Sequence, residues 1–188
     1  MSGEHRKKKR AYLNDFHKND EGKYEYRGNM YTCEGGSQAL ARARRQMWAI
    51  YAVLIVCLIA CGCIPSPQLG KTIYVILPYA LGLMGAISLG WALCRLSCAG
   101  DALKEYIYEV TVKKLPHRAI ATIVLNIAAI LGLVVLGITR RNQVKLWHML
   151  LFAALELAAV IGAVIIHKIA GRLRWNVKTG AKNPESGQ

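Results

Sequence analysis

Acidic residues are scarce in this chain: 11 Asp and Glu stand against 25 Lys and Arg, a net charge of +14 over 188 residues. Yet 54% of the residues are hydrophobic. A soluble globule with one core does not combine so much apolar content with so much uncompensated charge. The two are reconciled if the apolar residues form membrane spans and the cations lie in the segments between them.

Other absences narrow the choice further. No cleavable secretory pattern precedes the first apolar run, which starts only near Met47 behind a long polar leader and so reads as a retained span. The apolar runs show no alternation, which excludes a β-barrel. There is no phosphate-cradling glycine loop, no His-Glu-x-x-His and no Ser or Cys nucleophile with a placed base, so no enzyme and no cofactor is expected. No basic helix or aromatic platform of a nucleic-acid module is present, and nucleic acid is not expected as a partner.

The six cysteines do not form an extracellular framework, because Cys33, Cys57, Cys94 and Cys98 fall inside apolar runs or on the cytosolic side. Cys61-Gly-Cys63 has the wrong spacing for a thiol oxidoreductase and no second pair on its side. Cys94 and Cys98 share one helix face, which suits packing or acylation. Metal binding there would need His117, and no metal is expected.

What is present is four apolar runs, at about Met47–Ile64, Thr72–Leu93, Ala119–Ile138 and Trp147–Ile166. Each is close to the roughly 20 residues a helix needs to cross a bilayer. Trp48, Tyr51, Tyr74 and Trp91 sit near run ends as interfacial anchors. Alternating the spans puts 21 Lys and Arg on one side, in the leader, the connection between spans two and three, and the tail, against four on the other. The expectation is an all-α polytopic protein of the cell membrane with both termini cytoplasmic. Its basic tail, MSGEHRKKKR, is expected to meet anionic lipid headgroups of the bilayer.

The leader (residues 1–36) is expected to carry a hairpin over residues 23–34, turning at Gly28-Asn29 and pairing Tyr26 with Tyr31 and Tyr24 with Cys33. A disordered leader is the alternative. Gly35-Gly36 breaks the chain, Ser37 is placed to cap the next helix, and QALARARRQ continues it into the first span. Between spans two and three, Asp101, Leu103, Tyr106, Ile107 and Val110 predict a short surface helix, with a strand as the competing reading. The membrane domain runs over residues 37–175, and residues 176–188 form a flexible tail.

Glu156 lies at the centre of the fourth run. An ionised carboxyl there costs on the order of 2.5–3.5 kcal/mol and demands a partner, a proton, a water-lined cavity or a function. Asn126, with Thr122 one turn away, falls at nearly the same depth in span three, so an amide–carboxyl pair is expected. Small residues (Ala153 and Ala159 near Glu156; Gly82, Ala86 and Gly90 in span two) predict close helix contacts, and Pro78 predicts a kink. Glu156 reads either as a proton or cation site or as a protonated assembly device. The expected function is a subunit of a transport or channel assembly, a homo-oligomer or part of a larger membrane complex, with a polar midplane site at Glu156, Asn126 and Thr122. A non-transporting anchor or scaffold, recruiting a cytosolic partner through leader and inner loop, is the alternative.

Overall fold

The computed structural model describes residues 16–18, 24–26, 28–66, 71–139 and 145–178. In chain order its elements are β1 (Phe16–Lys18), β2 (Tyr24–Tyr26), β3 (Met30–Cys33), α1 (Gly36–Gly62), α2 (Ile73–Cys98), β4 (Ala102–Lys104), α3 (Glu105–Ile107), a π-helical turn (Tyr108–Val112), α4 (Leu115–Thr139), α5 (Leu146–Arg172) and β5 (Trp175–Lys178).

The protein is mostly helical, and α1, α2, α4 and α5 are long and apolar enough to cross a membrane. α1 has 27 residues, about 40 Å at 1.5 Å per residue, which exceeds the ~30 Å hydrocarbon thickness. Its basic first turns therefore extend beyond the apolar run. The helices form a four-sided bundle in which α2 packs on α4, α4 on α5 and α5 on α1, while the α1–α2 seam is the sparsest.

Burial is arranged for lipid. Val53, Val56 and Ile59 on α1, Met84 and Ile87 on α2, Val124 and Leu131 on α4 and Leu157 and Ile161 on α5 are all exposed. Thr122, Asn126 and Glu156 are fully buried. A bundle with aliphatic side chains outside and polar ones inside is stable where the solvent is acyl chain, since burial in water would reward the opposite sorting.

At one end the bundle is capped by a three-stranded antiparallel sheet in the order β4-β3-β5. Tyr31 of β3 stands opposite Leu103 of β4 and Val177 of β5. Leu103 is fully buried beneath the helices. The Tyr31 ring stacks on Tyr108 with centroids 4.0 Å apart, and Tyr108 meets Trp175 edge-on at 5.7 Å. This aromatic set ties three distant stretches of chain to the end of the bundle. Asn29 Nδ2 donates to Glu105 Oε2 at 3.1 Å, and the Glu34 amide to the Arg174 carbonyl at 3.0 Å, closing both sides of the cap.

Four expectations are corrected by the structure. The hairpin does not turn at Gly28-Asn29. β2 pairs instead with β1, and β3 pairs with β4 and β5. An isolated two-stranded ribbon is marginal, whereas β3 between two partners rests on buried Leu103 and the helix ends. The inner connection is not one surface helix: Leu103 is in a strand, and Tyr106, Ile107 and Val110 lie in α3 and the π-turn, which closes with the Lys113 amide on the Tyr108 carbonyl at 3.1 Å. Residues 176–178, assigned to the tail, belong to β5.

Ser37 does not cap α1. Gly35 holds the N-cap position and Gly36 adopts φ +75°, a turn that favours glycine. The basic tail, the Arg140-Arg141 pair and residues 179–188 lie outside the described residues.

Candidate functional site

Small residues decide where the helices approach. Gly82 lies against the Asn126 side chain, and Gly85 lies against Thr122, where an added β-carbon would stand 3.0 Å from Oγ1. Thr122 Oγ1 donates to the Arg118 carbonyl one turn back at 2.9 Å, a common way for hydroxyls to be satisfied in apolar helices. Ala86 and Ala159 are fully buried in the main core, and Ala153 is half-buried beside Phe152.

The small residues Gly82, Ala86 and Gly90 are expected to allow close helix contacts. The structure divides them: Gly82 meets α4, while Gly90 lies under the Tyr51 hydroxyl of α1. Eight residues turn a helix roughly 80° past two full turns beyond the starting direction, enough to reach the adjacent seam. Among the described residues, Tyr51 is one of three polar aromatics bridging the sparse α1–α2 seam. Trp48 Nε1 donates to Ser97 Oγ at 2.8 Å, and Tyr79 Oη to the Leu58 carbonyl at 2.7 Å. Gly62 leaves the space that the Tyr79 hydroxyl occupies.

Glu156 lies on the inner face of α5, fully buried. It does not pair with Asn126. Both carboxyl oxygens and both polar atoms of the Asn126 amide are buried without a hydrogen-bond partner among the described residues. Equal depth is not equal direction: the amide is turned to Gly82 on α2.

One turn from Glu156, Phe152 marks the way to the end of the bundle opposite the sheet. Its carbonyl accepts a weak bond from Cys61 Sγ at 3.7 Å, and its ring lies 5.8 Å from that of Tyr79. Cys61, Tyr79 and Phe152, with Gly62, Ile64 and Val75, line a cavity of about 290 Å³. The arrangement is a recess at the end of the bundle, walled by rings and a thiol, with an unpartnered carboxyl about 6 Å further along α5 at 1.5 Å per residue.

Sequence reading singled out neither Tyr79 nor Phe152. The available signal was a tyrosine one residue after Pro78 in an apolar run, since a hydroxyl at that depth must find an acceptor. No group of three His, Cys, Asp or Glu side chains placed to hold a metal occurs among the described residues. Cys94, Cys98 and His117 are all exposed. No protein-family model, curated protein or solved structure matches the chain.

Proposed function

We propose that this membrane protein is a subunit of a transport or channel assembly in which Glu156 binds and releases a proton or small cation. The observation that carries the reading is a fully buried carboxyl with no hydrogen-bond partner among the described residues, one helical turn from a cavity at the end opposite the sheet. An unsatisfied buried carboxyl costs several kcal/mol in a low-dielectric interior unless it holds a proton or a cation. An assembly device would be expected on the outside of the bundle, facing a neighbouring copy, and Glu156 faces inward.

Exchange runs from the cavity past Cys61 and Phe152, and the side chains of Tyr79 and Ser66 bring hydroxyls to the cavity lining. Asn126 and Thr122 line the α2–α4 contact, and the Asn126 polar atoms, without a partner among the described residues, offer a second station at a similar depth. The chain is non-enzymatic in this reading. One bundle offers few polar groups for a complete pathway, which favours a homo-oligomer or a larger membrane complex. The excess of Lys and Arg on the capped side supports a cytoplasmic position for that end and both termini.

The test is flux in proteoliposomes across an imposed pH gradient, wild type against Glu156→Gln. The reading expects wild-type flux that the substitution abolishes while yield and oligomeric state stay the same. Equal flux in both would overturn it.

One observation favours the scaffold alternative. β4 and β5 are the outer strands of the cap among the described residues, and an outer strand can accept a partner's strand. In that case Tyr31→Ala would release a cytosolic partner, while Glu156→Gln would be silent.

A further inference from the structure

The stripe of α2 made by Met84, Ile87, Trp91 and Arg95 follows the i, i+3, i+7, i+11 spacing of a single helix face. Its composition changes in order along the helix. Met84 and Ile87 are exposed aliphatics, Trp91 is an indole that remains 52% exposed, and Arg95 is a cation in the last turn. Arg118, from the first turn of α4, reaches across to the same place. The Arg95 and Arg118 guanidinium carbons lie 5.4 and 5.2 Å from the Trp91 ring centroid.

Two like charges are thus gathered around one ring, and neither has a carboxylate partner among the described residues. Arg118 Nη1 donates to the Ser88 carbonyl at 2.8 Å, which fixes the side chain and leaves its other N–H groups without a partner among the described residues. A guanidinium resting on an aromatic face keeps its donor edge available for a phosphate. The indole offsets part of the repulsion between the cations but supplies no anion.

We infer that Arg95, Trp91 and Arg118 form a binding site for the phosphate of an anionic phospholipid, whose acyl chain runs along Ile87 and Met84. Aliphatic, indole and guanidinium follow one another in the order that acyl chain, glycerol region and headgroup follow along a lipid. A free phosphate would use the two arginines but gain nothing from the exposed aliphatic track. The site is separate from Glu156, being at the capped end and on the outer surface.

The experiment uses full-length protein with Trp48, Trp147 and Trp175 replaced by Phe, so that Trp91 is the only tryptophan and is excited selectively over the tyrosines. It is placed in phosphatidylcholine nanodiscs containing brominated phosphatidylglycerol or, at the same mole fraction, brominated phosphatidylcholine. Trp91 is expected to be quenched preferentially by the anionic lipid, and each Arg→Gln substitution to reduce that preference roughly fivefold. Arg95→Gln is the cleaner variant, because it removes no hydrogen bond. Equal quenching by the two lipids, or a preference that survives in Arg95→Gln/Arg118→Gln, overturns the inference. So does loss of the preference on adding inorganic phosphate but not chloride at matched ionic strength, which assigns the site to the free anion. Native mass spectrometry of the protein with all its tryptophans gives a second reading: the wild type should keep bound phosphatidylglycerol at activation energies that strip it from Arg95→Gln. Equal retention also overturns the inference.

Discussion

The carbonyl oxygen of Tyr74 lies against Gly132 of α4 so closely that no β-carbon fits between them. Pro78 explains why that oxygen is available. Proline has no N–H, so the carbonyl four residues before it, that of Tyr74, loses its helical partner. In lipid such a group must be covered from elsewhere. A glycine on the neighbouring helix allows the two backbones to come together over it, with a Cα–H as a weak donor. The obstacle to a side chain at Gly132 is backbone, which no rotamer change relieves. Gly132→Ala is therefore expected to lower stability by about 1–3 kcal/mol, read as a lower melting temperature of the purified protein in detergent. An unchanged melting temperature would contradict the close approach.

Gly82 makes a contrasting case, because its obstacle is a side chain. Gly82→Ala is expected to destabilise by pushing on the Asn126 amide. In an Asn126→Ala background the same change should be neutral or mildly stabilising, since alanine is the better helix former by about 1 kcal/mol. The double-mutant cycle measures the coupling, and additive effects would mean that Asn126 is turned elsewhere.

Much of the membrane architecture was legible in the sequence, because hydropathy over some 20 residues is a local property. The four long helices fall where the apolar runs are. The cap was not legible. Met30–Cys33 pairs with Ala102–Lys104 and Trp175–Lys178, partners 70 or more residues away, while Gly28-Asn29 offered a local turn that tertiary packing overrides. Glu156 stood out as an acid in an apolar run. Its surroundings did not, since depth along a helix can be counted and direction around the axis cannot. That is why Asn126 was matched to it by level and is found turned to Gly82.

The cap is expected to loosen in alkali. Tyr31 is held above its ordinary value of 10.0 first by burial and then by the nearby Glu105, Tyr108 and Glu109. Its folded value thus exceeds its unfolded one, so its contribution to stability is complete below pH 10.0 and is lost as pH rises through the folded value. Tryptophan emission from Trp175, with the other tryptophans replaced, should report the loosening. Tyr31→Phe keeps the stacked ring, has no proton to lose and should reduce the pH dependence. An identical alkaline transition in Tyr31→Phe would place its origin in another residue.

Cysteine accessibility tests the orientation. Cys63 is exposed at the end opposite the sheet, whereas Cys61 beside it is buried against the Phe152 carbonyl. A variant with Cys63 alone should react with a membrane-impermeant maleimide in intact cells, and one with Cys94 or Cys98 alone only after permeabilisation. Reversed labelling would invert the protein in the membrane. Cys61 alone should react slowly, and faster in a Phe152→Ala background.

The central claim is that the Glu156 carboxyl exchanges with solution from inside the bundle, and infrared difference spectroscopy of the reconstituted protein tests it most directly. The account predicts a protonated-carboxylic-acid carbonyl band that appears and vanishes reversibly with pH, shifts in heavy water, and is missing from Glu156→Gln. A spectrum with no such band, or one unaltered by that substitution at every pH where the protein stays folded, would contradict it.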